Sequence, residues 1–145
     1  MITMREAHGG GVDITISLSQ KEAAALGHFF DLADWFDTAL WGLSLLRTGE
    51  SHRGPLGAET GPATAGQMAT VVGHLDHRLI PRLEGIRSAA IRRHAELGGT
   101  VGDLALAMDA PRSTAQYRRE TLLAKTPVGF EHWAANGGPQ GPKHS

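Results

Sequence analysis

Cysteine is absent from all 145 residues, which excludes a disulfide framework, a zinc–thiolate centre and a thiol nucleophile. An excess of one charge is absent as well: 14 Lys/Arg stand against 15 Asp/Glu, a formal net charge of -1. The chain as a whole is therefore no polycation. Long apolar runs are missing, none approaching the roughly 18 residues that suggest a bilayer span, and the N-terminus lacks the apolar core of a signal peptide. A soluble, cytoplasmic chain with no membrane partner is expected. No nucleophile elbow, phosphate loop or catalytically spaced carboxylate pair is present, and Gly9-Gly10-Gly11 does not lead from a strand into a helix. The expectation is a protein that is not an enzyme and takes no cofactor.

What is present is a division of charge. Residues 1–60 hold four Lys/Arg against eight Asp/Glu, whereas 78–125 hold nine against five. An acidic region is thus tied to a basic one. The acidic part begins with a loose segment ending in the three glycines, followed by Val12 to Leu18, whose alternation of apolar and polar residues predicts one short strand. Ser19 and Glu22 have capping-box spacing and open a predicted helix over 20–47. Ala25, Phe29, Leu32, Ala33, Phe36, Leu40 and Leu43 form its expected buried face. Phe30, Trp41 and Leu45 fall on another face, which we assign to a partner subunit because so short a chain has few elements to wrap a two-faced helix.

Residues 48–62 are rich in Gly and Pro without periodicity and read as a loop. Helix resumes near Thr64, with Met68, Val71, Val72, Leu75 and Leu79 on its apolar side, until Pro81 ends or kinks it. A further helix over 82–97 is expected to bury Leu83, Ile86, Ala90 and Leu97 and to close at Gly98-Gly99. Thr126-Pro127 opens a short last helix that docks Phe130 and Trp133, and the Gly/Pro-rich tail 136–145 is expected to be disordered.

Between these lies the most informative stretch, Thr100 to Leu123. Leu104, Ala105 and Met108 give a first short helix an apolar edge, with Ala105 small enough for a close crossing. Asp109 and Ala110 turn the chain, and Pro111 suits the start of a second helix because its missing N–H would be unpaired there. Arg112, Ser113, Thr114, Gln116, Tyr117, Arg118 and Arg119 then place seven hydrogen-bonding groups within eight positions. Residues 82–125 resemble the helix-turn-helix of bacterial transcription regulators, in the non-winged form where Pro-Arg-Ser-Thr opens the recognition helix. The resemblance covers about a third of the chain. It departs from the pattern at the turn, where Asp109 replaces glycine, and midway along the second helix, where Tyr117 and Arg118 replace an aliphatic residue.

The resemblance implies double-stranded DNA as the partner, and helical spacing allots the roles. Arg112, Ser113, Gln116 and Tyr117 share one stripe that a major groove would receive, Arg matching guanine O6 and N7 and Gln matching adenine N6 and N7. Thr100, Thr114, Arg118 and Arg119 suit phosphate, fixing orientation without reading sequence. Doubling the phosphate contacts of a modestly basic reader requires a homodimer.

The expected fold is all-α, a helical bundle with a C-terminal helix-turn-helix and one short N-terminal β-strand. Residues 12–80 form a dimerisation or sensing region with room for a small-molecule effector, 82–135 the DNA-binding region and 136–145 the tail. Two other readings compete. A protein–protein adaptor or sigma-like module would use the same surface on a protein. A metal-binding helical protein would draw on His74, Asp76 and His77, or on His28, Asp31, Asp34 and Asp37; those spacings fit a solvated face equally well, and two histidines fall short of a ligand set.

Overall fold

The computed structural model describes residues 1–27, 30–52 and 61–137. The chain is mostly helical, with a small two-stranded sheet at the start. Strand β1 (Ile2–Glu6) pairs antiparallel with β2 (Val12–Ile16), Ile2 opposite Ile16 and Glu6 opposite Val12. The single predicted strand is therefore half of a hairpin, and residues 2–6 are not loose. Ile2, Met4 and Glu6 alternate with Thr3 and Arg5, a pattern only five residues long. Gly9 and Gly10 make the turn at φ +86° and +87°, a region that L side chains rarely enter.

Helix α1 (Gln20–Leu26) starts at the expected box: the Glu22 N–H donates to Ser19 Oγ at 3.1 Å and the Ser19 N–H to Glu22 Oε1 at 3.0 Å. It stops at Gly27, whose φ of 62° no helix continues. Helix α2 (Phe30–Thr48) follows, so the long helix expected over 20–47 is two.

The expected assignment of faces on α2 is reversed. Leu45, given above to a partner subunit, is only 1% exposed within its own chain, and Trp41 is half-buried with its indole N–H shielded from water. Phe36, Leu40 and Leu43, expected inside, are exposed. The reason is Gly42, which lets helix α3 (Ala65–His74) come so close that a Cβ there would lie 2.7 Å from Val71 Cγ1. Phe29 lies outside the described residues, and of Phe30 the backbone alone is described. Two-residue strands β3 (Glu50–Ser51) and β4 (Gly61–Pro62) join the ends of the connection between α2 and α3.

Helix α3 is capped by Thr64, whose side chain and that of Gln67 satisfy each other's backbone N–H. It runs through a π-helical turn (Leu75–Leu79) directly into α4 (Ile80–Glu96). Pro81 therefore does not end the helix. A proline ring inside an α-helix collides with the carbonyl one turn back, and the wider π turn immediately before it relieves that crowding. The expected regional boundary at residue 81 thus falls inside one continuous rod from Ala65 to Glu96.

Helix α4 ends where Gly98 takes φ +86°, its N–H donating to Ala95 O and that of Gly99 to His94 O. Its buried positions are Arg82, Gly85 and Ile91, not Leu83, Ile86, Ala90 and Leu97, all of which are exposed. The inward face is set by α7 (Gly129–Asn136), which lies along α4 with the Phe130 backbone against Gly85. Helices α5 (Val101–Met108) and α6 (Arg112–Leu123) cross beneath the other end of α4. Ile91, Leu104, Ala105 and Ala115 form the core there, with Val101, Met108 and Leu122 packed against it.

Two arginines bind these layers. Arg92 donates Nε to Glu131 Oε2 at 2.7 Å and Nη2 to Leu122 O at 2.7 Å, joining α4, α6 and α7; the Glu131 hydrogen bond raises the guanidinium's pKa. Buried Arg82 lies 4.1 Å from the Trp35 ring centroid and 4.6 Å from that of Phe130, and gives Nη1 to Arg78 O. A guanidinium between two aromatic faces joins α2 to α4 and α7.

Candidate nucleic-acid interface

Local chemistry sets the angle between α5 and α6. Thr100 caps α5 by accepting the Asp103 N–H at 3.1 Å, a bond whose loss costs about 1 kcal/mol. At the other end Asp109 takes the left-handed conformation, φ 49° and ψ 50°. Asp tolerates that region better than most residues, so glycine is dispensable at this turn. The Ala110 N–H reaches back to Ala105 O at 3.0 Å, and Pro111 stands at the N-cap of α6. Ala115 is fully buried under the crossing, so the side chains half a turn away must point outward.

That outward side carries Ser113, Gln116 and Tyr117, with Arg112 at the helix start, all exposed and Tyr117 to 73%. The four residues expected to share a stripe do share it. Glu120 belongs to the same face and accepts from Gln116 Nε2 at 2.9 Å. The sequence reading did not single out Glu120, although its position four residues after Gln116 places it there. It gives the stripe an acceptor suited to a cytosine amino group beside the donors of Arg112 and Gln116.

The residues assigned to phosphate divide. Thr114 is exposed, and Thr100 is exposed with its oxygen engaged in the cap. Arg119 is half-buried and donates Nη1 to Gly99 O at 2.8 Å, which ties α6 to the end of α4. Half-buried Arg118 lines a cavity of about 550 Å³ with Ile91, His94, Leu104 and Met108. His94 Nδ1 is buried without a hydrogen-bond partner among the described residues. A guanidinium that stays near solvent cannot fill the space an aliphatic side chain would occupy.

Arg87 was missed in the sequence because it stands on α4, far along the chain from α6. The fold brings it to a second groove of about 320 Å³ with Ser88, Thr114, Tyr117, Arg118 and Thr121. Among the described residues none of Arg87, Arg112 and Arg118 is ion-paired. Arg112 at the exposed start of α6, and Arg87 and Arg118 with several hydroxyls along the flank that faces α4, thus offer guanidinium groups without an ion pair, the chemistry that phosphate oxygens recognise. No three His, Cys, Asp or Glu among the described residues converge as a metal would require; His74 Nδ1 instead lies 3.3 Å from Thr38 Oγ1. No helix among the described residues is long and apolar enough to cross a membrane. No protein-family model, curated protein or solved structure matches this chain.

Proposed function

We propose that this protein is a sequence-specific DNA-binding transcription regulator that acts as a homodimer, with α5 and α6 forming a helix-turn-helix whose second helix enters the major groove. The observation that carries the reading is the outward stripe of Arg112, Ser113, Gln116 and Tyr117, held exposed by the burial of Ala115 behind it. Arg112, Gln116 and Glu120 read base edges. Arg87, Thr114 and Arg118 hold the flanking phosphates, and Arg119 positions α6 through Gly99. Gln116 and Glu120 bond each other in the free protein, so an adenine opposite Gln116 must compete with an existing hydrogen bond.

A protein–protein reading draws on two exposed side chains of these helices, Leu106 on α5, 83% exposed, and Tyr117 on α6, 73% exposed. Fluorescence anisotropy with duplexes from the protein's own upstream DNA, titrated with salt, separates the two. A regulator binds with a log–log salt slope set by the phosphates it neutralises and prefers one duplex over random sequence. Absence of duplex binding at low salt rejects the regulator.

A further inference from the structure

The N-terminal hairpin has one apolar face with nothing on it. Residues directly opposite in an antiparallel ladder share a face, so Ile2, Ile16, Met4, Ile14 and Val12 stand together, while Thr3, Thr15, Arg5 and Asp13 occupy the other side. The five apolar residues are 51–74% exposed. Every residue of the two strands is exposed, and among the described residues the only extensive contacts of the hairpin are between its own strands. A lone two-stranded hairpin is marginal in water at best, and this one needs a cover. Helix α2 has a second uncovered surface: Phe36, Leu40 and Leu43, at 44–53% exposure, form a stripe on the side away from Gly42 and Leu45.

We infer that a second copy of this chain covers both surfaces, the hairpin of each protomer lying on the Phe36–Leu40–Leu43 stripe of the other. Each copy carries one apolar projection and one apolar seat, so two copies close on each other through a two-fold axis and leave neither exposed. The charges fit: Glu6 is the one charged residue on the apolar face of the hairpin, and Arg47 continues the line of Leu40 and Leu43 on α2. This arrangement deepens the dimer proposed above and replaces Phe30, Trp41 and Leu45 as its contact residues.

The absence of cysteine makes the test clean, because introduced thiols have no competitors. Ile14→Cys chains mixed with Leu40→Cys chains under mild oxidation should give a disulfide between the two chains. Wild-type protein should sediment at twice its 15.4 kDa mass at micromolar concentration, and Leu40→Asp should sediment as a monomer with unchanged helix content by circular dichroism. Three results overturn the inference: a wild-type monomer, a 14–40 disulfide within one doubly substituted chain, or bonding between Ile14→Cys chains without any 14–40 product. All are read without DNA, so a dimer with no duplex affinity rejects the regulator alone, and a monomer that binds a duplex rejects the dimer alone.

Discussion

The segment from α4 to α7 encloses its own core, whereas the segment before it leaves its apolar residues outside. Around Ala115 three helices, α4, α5 and α6, meet over a buried cluster, with ends tied by the Gly98 and Asp109 turns and by Arg119, while Arg92 and Glu131 attach α7. Ahead of α3, Leu45 is the large side chain fully buried, while the hairpin and the far side of α2 face solvent. The C-terminal segment holds α6 at a fixed angle, whereas the segment before it leaves exposed the apolar surfaces that the proposed dimer would bury.

The comparison breaks most readily at Arg82, whose side chain links α2 to α7 across the division. Arg82→Ala removes two ring contacts and leaves a cavity, an expected loss of about 3 kcal/mol. Urea unfolding checks it, with Trp fluorescence and far-UV circular dichroism separating into non-coincident transitions as the halves uncouple. Arg82→Lys should recover little, since an ammonium cannot lie flat between two rings. Gly85→Ala tests the C-terminal half alone. The added Cβ would stand 2.6 Å from the Phe130 carbonyl, and displacing α7 should cost about 2 kcal/mol in the same measurement.

Substitutions on the outward surface sharpen the comparison without disturbing either core. Arg112→Ala or Gln116→Ala should lower the preference for the cognate duplex by about 1–3 kcal/mol each. Arg87→Ala should weaken all duplexes alike and reduce the magnitude of the salt slope by about one. Equal losses on cognate and random DNA from all three would dissolve the division between base readers and phosphate anchors. The smallest effect belongs to α1. Hydrogen bonding to the Ser19 backbone N–H, then to its side chain, lowers the Glu22 pKa below that of an ordinary carboxylate. Its contribution is therefore present at neutral pH, above the unfolded-state pKa, and is lost as pH falls through the lowered folded-state value. Titration followed by the Ser19 amide resonance checks this, and Glu22→Gln should flatten the pH response.

How far the fold could be read from residues alone follows the same line. The α5–α6 turn was readable because its determinants are local: a residue that tolerates left-handed backbone and a proline at the next helix start; Thr100, assigned to phosphate, proved to be the α5 cap instead. The stripe on α6 followed from periodicity once that turn was placed. The inward face of α4 was misassigned because Arg82 and Gly85 are not apolar, and nothing local shows that two rings and a carbonyl will close over them. Helix α2 misled for another reason. It is apolar on opposite sides, so which side faces inward depended on the close approach at Gly42, a tertiary fact. Glu120 and Arg87 joined the site through helical phase and through packing, respectively, and only the first of these could have been counted along the chain.

The uninterrupted rod from Ala65 to Glu96 has a mechanical meaning for such an assembly. It spans about 45 Å and links the end packed against α2 to the end packed against α6 in one helical run. The π turn sets the angular offset between those ends, because its additional residue advances everything downstream by about 100°. In the proposed dimer the separation and relative orientation of the two α6 helices would follow from that offset, and a single-residue change of length between Leu75 and Leu79 would retune them as a vernier does.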